Sequence, residues 1–330
     1  MPHCWLLFVM KFSTKAVALA LISFALIIPP FAFAQDSAPL SSVDELLENA
    51  SRALQEQNYR GRFTYEFGTT LETLEIVHLV QDGVEYERIT HLNGVEREFL
   101  RGGREQDCVS TGGFLLRGGL IPQAGGAVSL SQSYHFYIRG RDRIAGRDAE
   151  VVQAVPKDEY RYGMTLAVDR VSGLPLMSLI TVSNKGAIER FQFTELEVGS
   201  GIEAGAISPT GAQHARLDGA NVPCTKLPSG KSIWRAGWLP PGFVVSHITS
   251  DNEGDVLTYT DGIASFTLFI KPLADPSAFK QGMARRGATT ALMSVVPAFP
   301  HSIGVILVGE VPFTTAQQVV TAITTSGGQR

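Results

Sequence analysis

The sequence has little cysteine and no excess of positive charge. Only three of its 330 residues are cysteine, and the formal net charge is −4 at pH 7. A general nucleic-acid binder would show a basic excess, so this class is excluded. The spacings His-Glu-x-x-His, Gly-x-Ser-x-Gly and Cys-x-x-Cys are also missing, and the histidines are scattered. The sequence therefore predicts a binding protein, not an enzyme, with no cofactor and no metal site.

The main hydrophobic run lies at the N-terminus. Lys11 and Lys15 precede an apolar stretch, and a small-x-small pattern ends at Ala34. These features predict a Sec-type signal peptide over residues 1–34, cleaved after Ala34, and a protein exported to the periplasm or the outside. The alternative is a signal anchor, which needs a longer apolar stretch. Met10 is an alternative start to Met1. Removal of the two lysines takes the formal charge from −4 to −6.

Two cysteines remain after this cleavage, Cys108 and Cys224. Cysteines of exported proteins are more often paired than free, so a disulfide between them is predicted. The alternative is a catalytic Cys108, which no neighbouring motif supports.

Periodicity predicts an N-terminal domain over 35–198 with one helix and a large antiparallel meander. Helical spacing covers Ser41–Gln57, and alternation then takes over. The Asn93-Gly94 dipeptide predicts a two-residue hairpin turn, and Gly102–Gly126 predicts a long irregular loop. The predicted strands are Tyr59–Phe67, Leu74–Val80, Tyr86–Leu92, Val95–Arg101, Ser133–Arg139, Ala149–Val155, Arg161–Val168, Leu174–Ser183 and Ala187–Val198.

A linker over 199–230 and a smaller α+β domain over 231–326 follow. The second domain opens with SIWRAGWLPPGF, residues Ser232–Phe243, whose two tryptophans we expect to pack within this domain or against the first. A closing helix is predicted, capped by Thr315, with Ile323 on its apolar face. The predicted strands of this domain are Asp255–Thr260, Ile263–Ile270, Ala288–Val296 and Ile303–Gly309.

Aromatic and charged residues alternate along several predicted strands. Tyr59, Phe63, Tyr65 and Phe67 share one face, where they can form core or line an apolar cavity for acyl chains. Two further sets are predicted to be solvated sheet surface or a solvated edge: the acid pairs Glu85/Glu87 and Glu96/Glu98, and the arginines Arg139, Arg141, Arg143 and Arg147.

With these residues in place, the chain resembles the MucB/RseB family of periplasmic regulators of the envelope-stress sigma factor. The resemblance covers nearly all of the chain after the predicted cleavage site, and it depends on the combination of motifs. They are YRGRFTYEF (Tyr59–Phe67), RGRDRIAGRDAEVV (Arg139–Val152), WRAGWLPPGF (Trp234–Phe243), YTDGIASFTLFI (Tyr259–Ile270) and VGEVPFTTAQQVVTAI (Val308–Ile323).

The resemblance implies an N-terminal domain similar to LolA and LolB, a curved antiparallel half-barrel around helices, and a smaller C-terminal α+β domain. It implies binding of the periplasmic domain of a single-pass anti-sigma factor, RseA- or MucA-like, which is thereby shielded from the site-1 protease. Lipopolysaccharide or another lipid would release it, and in Pseudomonas-like relatives the circuit controls alginate production. A homo-oligomer is left open.

Two other functions are weighed against this one. A periplasmic lipid or lipoprotein carrier would need only the first domain, so the second domain argues against it. A secreted envelope enzyme would need a carboxylate pair in a suitable setting, and the sequence shows none.

Overall fold

The chain forms two large sheets, one in each half. In the computed structural model, the ten-stranded N-terminal sheet is antiparallel apart from one edge pair, and the six-stranded C-terminal sheet is fully antiparallel. A two-stranded ribbon accompanies the second sheet. The structure describes residues 40–105, 130–182, 186–209, 214–216, 231–252, 254–298 and 301–325.

The N-terminal sheet has the strand order β10-β4-β3-β2-β1-β9-β8-β7-β6-β5. Consecutive strands pair as hairpins from β1 to β4 and from β5 to β9, as the alternation predicted, while β9 pairs with β1 and β10 pairs in parallel with β4. The elements of this half are α1 (Leu40–Glu56), β1 (Tyr59–Phe67), β2 (Thr70–Gln81), β3 (Val84–His91), β4 (Glu98–Glu105), α2 (Leu130–Ser133), β5 (Tyr134–Ile144), β6 (Arg147–Pro156), β7 (Gly163–Asp169), β8 (Pro175–Val182), β9 (Gly186–Val198), a 3-10 turn (Ala204–Ile207) and β10 (His214–Arg216).

Helix α1 supplies apolar side chains to both core clusters of this half. Ala53 and Leu54 pack with the aromatic residues of β1, whereas Val43 and Leu47 pack with the cluster around Tyr134. These four positions recur at helical spacing, so one face of the helix is buried. The predicted helix is confirmed to within one residue at each end.

The turn after β3 is longer than predicted. Strand β4 begins only at Glu98, and the backbone N–H of His91 donates to Arg97 O, so the connection is wider than two residues. Gly94 has the expected positive φ of 76°. The Asn93 side chain instead bonds the neighbouring segment, accepting from Thr73 N at 2.9 Å. That contact lies outside the hairpin, so the dipeptide alone does not reveal it.

The predicted solvated surface of β3 and β4 is wrong for two of the four glutamates. Glu85 is 4% exposed and Glu98 is 0% exposed. Glu98 lies 3.7 Å from Nε of Arg88, and Nη1 of Arg88 donates to Ser208 O. The chain after β9 therefore folds back over this face of the sheet, which local alternation cannot show.

This returning segment belongs to the range predicted as a linker. Ile202, Ala206 and Ile207 pack against Val77 and Leu79 of β2, so β2 is covered on both faces. The packed N-terminal half thus continues beyond Val198.

The exposed edge predicted at the arginine cluster is confirmed. Strand β5 is the outer strand of the sheet, and Arg139, Arg141 and Arg143 are exposed along it. Arg147, on β6, instead pairs with the buried Asp169 at 2.7 Å.

The C-terminal sheet has the order β12-β13-β14-β17-β16-β15. The four predicted strands are present, while β11, β12, β15 and β18 were not predicted. Its elements are β11 (Trp234–Ala236), β12 (Val244–Asp251), β13 (Gly254–Thr260), β14 (Ser265–Pro272), a 3-10 turn (Pro276–Ala278), β15 (Gly282–Arg286), β16 (Thr289–Val296), β17 (Ile303–Gly309), α3 (Phe313–Thr321) and β18 (Ile323–Thr325).

The closing helix is present, but its predicted cap is wrong. Helix α3 begins at Phe313 with Pro312 at the N-cap position, so Thr315 lies in the first turn. The Thr315 hydroxyl donates to Tyr160 O at 3.0 Å, in the N-terminal half. Ile323 belongs to β18, not to the helix. Ala316, Val319 and Val320 are buried on one helix face, as predicted.

Among the helices in the described ranges, none combines the length and the apolar character needed to span a bilayer.

Candidate functional site: the junction between the two sheets

The Trp-Pro stretch, residues 232–243, lies between the two halves. Trp234 is in β11, which pairs with β18, and is buried in the C-terminal core. Trp238 packs against the same core and meets the ring of Tyr160 edge-on, with ring centroids 5.1 Å apart. The prediction that these tryptophans pack within the second half or against the first is confirmed.

The end of this stretch requires a glycine. Gly242 has a φ of 85°, and a Cβ added there would lie 2.3 Å from Oγ of Ser133. Only glycine accepts both the positive φ and this close approach. The preceding carbonyl, of Pro241, accepts a hydrogen bond from Arg161. The Pro-Pro-Gly turn is therefore shaped by its contact with the N-terminal half.

Arg161 is the charged centre of the junction. Its side chain is 0% exposed, and its Nε and Nη2 donate to the two carboxylate oxygens of Asp158 at 3.0 Å each. Nη1 donates to Asp261, in the turn between β13 and β14. Burial acts to lower the pKa of Arg161, but the hydrogen bonds to Asp158 and the charge of Asp261 outweigh it and raise that pKa. The guanidinium therefore stays charged and links both halves.

Asp261 is fully buried, with several donors around it. Its carboxylate accepts from the backbone N–H of Ile263 and Ala264 at 2.9 and 2.8 Å, from the Tyr134 hydroxyl at 3.0 Å, and from Arg161. These donors offset only part of the desolvation, and burial raises the pKa of Asp261. The turn after β13 is thereby anchored in the core of the N-terminal half, where Ile263 also packs.

A second set of contacts attaches the turn between β15 and β16. Arg286 pairs with Glu72 at 3.2 Å and lies 4.5 Å from the ring centroid of Phe67. Glu189, on β9, accepts from the backbone N–H of Ala288 at 2.8 Å. Gly287, between them, has a φ of 57°, and a Cβ there would collide with Glu189. The C-terminal sheet is thus fastened to the N-terminal sheet at two separate places.

Two acids approach each other near this second attachment. Burial, and then the charge of Glu189, raise the pKa of Glu310 to about 8. Burial also raises the pKa of Glu189, against the hydrogen bonds from Ala288 and Tyr65. Glu310 borders a small cleft of about 270 Å³ of empty space, partly open to solvent. The cleft is lined by Tyr134, Tyr162, Gly163, Met164, Ile180, Ile263, Ala264 and Glu310.

The four aromatic residues predicted to line a lipid cavity belong to the core beneath α1. Tyr59, Phe63 and Tyr65 are buried, and Phe67 is half-buried. The rings of Phe63 and Phe191, on β9, have centroids 5.0 Å apart. This packing agrees with the alternative that these residues form core. That they line a cavity for acyl chains stays a prediction.

The other predicted site residues lie mostly outside the described ranges. Cys108, Cys224 and the cleavage site after Ala34 all fall there. Of the histidines, His78 is buried with Nδ1 2.8 Å from Gln57 O, a structural position. Within the part of the chain that the structure describes, no group of three or more His, Cys, Asp or Glu is placed to hold a metal ion.

Sequence reasoning missed the Arg161–Asp261 pair. The predicted strand Arg161–Val168 begins at Arg161, whereas the observed strand β7 begins at Gly163. The gap between the predicted strands Asp255–Thr260 and Ile263–Ile270 places Asp261 in a turn. The turn was correct, and Asp at such a position commonly bonds the next backbone N–H groups. No local signal shows that the turn is buried against another sheet, 100 residues away along the chain.

Two antiparallel sheets joined through a buried arginine–aspartate pair define an α+β protein whose two halves share one interface. The chain belongs to the MucB/RseB family. Residues 42–211 match the MucB/RseB N-terminal domain, and residues 228–324 match the MucB/RseB C-terminal domain.

Named relatives and solved structures resemble this chain over most of its length. It is 31% identical to the sigma factor AlgU regulatory protein MucB of Pseudomonas aeruginosa, over 86% of this chain and 91% of that protein. It is 27% identical to the sigma-E factor regulatory protein RseB of Escherichia coli K12, over 87% and 92%. A crystal structure of MucB in complex with MucA(peri) matches with a TM-score of 0.63 and 30% identity, covering 86% of this chain and 98% of that one.

Proposed function

We propose that this protein binds the periplasmic segment of a single-pass anti-sigma factor and shields it from the site-1 protease. The envelope-stress sigma factor then stays held by the anti-sigma factor. The observation that carries this proposal is the match of both family domains, together with similarity to a MucB solved in complex with MucA(peri).

The proposed compartment is the periplasm. The predicted signal peptide over residues 1–34 supports export, and the name MucA(peri) places the partner of the similar MucB in the same compartment. Binding, not catalysis, is the proposed activity, since the relatives are named as regulators of sigma factors.

A protection assay tests this function. The mature protein, residues 35–330, is mixed with the purified periplasmic segment of the anti-sigma factor from the same organism, and the activated site-1 protease is added. At a protein concentration about ten times the dissociation constant for the segment, we expect the cleavage rate to fall by about tenfold. The reason is that bound segment is withheld from the protease. Unchanged cleavage at saturating protein would contradict the proposal, and unchanged cleavage of an unrelated substrate is the control.

We further propose that a lipid releases the anti-sigma segment. Acyl chains would enter between α1 and the sheet, where Tyr59, Phe63, Tyr65 and Phe67 pack. Helix α1 would have to separate from these rings, because they are closed into the core beneath it. Lipid and anti-sigma segment would then favour different states, and their coupling would be reciprocal.

Titration with lipopolysaccharide measures this coupling. We expect added lipopolysaccharide to weaken binding of the anti-sigma segment by about fivefold or more, the lower range of typical coupling energies. The same dissociation constant with and without lipid would disprove release by this lipid. If the protein binds lipid but does not bind an anti-sigma segment, the result would instead favour a lipid or lipoprotein carrier.

A further inference from the structure

Strand β15 differs from the other exposed edges of the two sheets. The edge strands in the described ranges are β5, β10, β12 and β15. The registers of β5 and β12 are each interrupted by a bulge, and β10 has three residues. Strand β15 pairs without interruption with residues 289–293 of β16. A regular edge is the form that accepts an added strand, whereas a bulge disfavours one.

Strand β15 is exposed from end to end, and its last residue, Arg286, contacts the N-terminal sheet. All five of its residues are exposed, and Met283 is 69% exposed. In a paired strand about half of the backbone N–H and C=O groups face the neighbour, and the other half face away. On β15 the second set faces away from β16, beside an uncovered apolar side chain.

The chain segment that contains β15 carries charge of one sign, although Glu72 and Glu189 of the N-terminal sheet contact its end. From Pro276 to Gly309 the sequence contains no aspartate or glutamate, whereas it contains Lys280, Arg285 and Arg286. Arg286 pairs with Glu72. Lys280 and Arg285 are exposed, and neither forms an ion pair within the described ranges.

The positive charge of this segment favours an acidic partner over a second copy of the same strand. Positive residues on a short edge repel a second copy of the same edge, which is one way in which sheets avoid self-association. The same residues attract an extended segment that carries carboxylates. Backbone pairing supplies affinity in strand addition, and side-chain contacts along the strand supply specificity.

We propose that β15 receives an acidic, extended segment of the partner as an added strand, with carboxylates near Lys280 and Arg285 and an apolar side chain beside Met283. This rests on the proposed function, in which the partner is the anti-sigma periplasmic segment. The turn after β15 is held on the N-terminal sheet by Glu72 and Glu189, so the added strand would run along the edge of one sheet toward the other.

Paired charge reversals test this site. The variant Lys280→Glu/Arg285→Glu is compared with Arg139→Glu/Arg141→Glu, which makes the same charge change on the exposed, bulged edge β5. All four residues are exposed, so both variants should keep the wild-type circular dichroism spectrum and Tm. Binding of the purified anti-sigma periplasmic segment is measured by titration calorimetry. We expect the β15 variant to bind at least about tenfold more weakly, and the β5 variant within about twofold of wild type.

Hydrogen exchange on the wild-type complex gives a second readout. Amides of residues 282–286 that face away from β16 should gain protection when the segment binds. If the wild type binds but the β15 variant binds equally well, or these amides gain no protection, the β15 site is wrong and the proposed function stands. If only the β5 variant binds the segment more weakly, the partner binds at β5 and the β15 site is wrong. If the wild type does not bind the segment, the proposed function fails and this inference fails with it.

Discussion

Replacing Arg161 with methionine should lower the free energy of unfolding by about 3–5 kcal/mol, the usual cost of removing one partner of a buried ion pair. Asp261 would keep its backbone and Tyr134 donors but lose its cation, inside a site with no exposure. Removing the guanidinium also leaves the Pro241 carbonyl without its Arg161 donor. Both halves lose contacts in this variant, because Arg161 bonds to Asp158 in the N-terminal half and to Asp261 in the C-terminal half.

Arg170→Met is the matched control. Arg170 also pairs with an aspartate, Asp148, at 2.9 Å, but its side chain is 40% exposed. Exposed pairs contribute about 0–1 kcal/mol, so this variant should stay close to wild type. Adding Asp261→Asn to Arg161→Met removes the uncompensated charge and should recover part of the lost stability.

Urea unfolding followed by tryptophan fluorescence measures this effect, because Trp234 and Trp238 both lie at or beside the junction. A fall in the midpoint with an unchanged slope reports a change in stability alone. If Arg161→Met and Arg170→Met lower the free energy of unfolding equally, the buried pair contributes no more to stability than the exposed pair.

Replacing Glu310 with glutamine should remove a pH dependence of stability. In the unfolded chain a glutamate titrates near 4.5, and in the folded protein the pKa of Glu310 is raised to about 8. A raised folded pKa means that this stabilising contribution is complete below 4.5 and is lost as pH rises through about 8. Glutamine does not ionise, so the variant keeps the contribution at alkaline pH.

The expected difference is small at about pH 5 and grows to on the order of 2 kcal/mol in favour of Glu310→Gln at about pH 8.5. This is less than the full shift would give, because the cleft beside Glu310 is partly open to solvent. Unfolding free energies of wild type and variant are measured across this range. Identical pH profiles would contradict the assignment.

Other groups around the cleft titrate as well. Tyr134 and Tyr162 line the cleft with Glu310. The charge of Glu189 acts on Glu310 and on Tyr65, and the charge of Arg285 acts on Tyr162. Burial raises the pKa of Tyr162 and of Tyr65, which keeps both phenols neutral over this range. Glu66→Gln, an exposed position on β1, is the control and should leave the profile unchanged.

Local patterns predicted most of the strands, because side chains on opposite faces of a strand alternate with period two. Tyr59–Phe67 is a strand with the predicted bounds. On β14, Phe266 and Leu268 are buried and Phe269 is exposed, as alternation predicts, but Thr267 is buried as well. Strand β12 has eight residues and was missed despite its length, whereas the unpredicted strands β11, β15 and β18 are only three to five residues long. Their extended form depends on partners elsewhere in the chain, so they have little local signal.

Helix α1, most of the strands and the position of the Trp-Pro stretch along the chain can be predicted from the sequence, because they follow from local periodicity and turn residues. The family follows from the combination of motifs. The meeting of Arg161 with Asp261, the burial of Glu98 and the approach of Glu310 to Glu189 appear only in the folded chain. Each depends on segments far apart along the chain, and burial by a distant segment changes the energy of a charge.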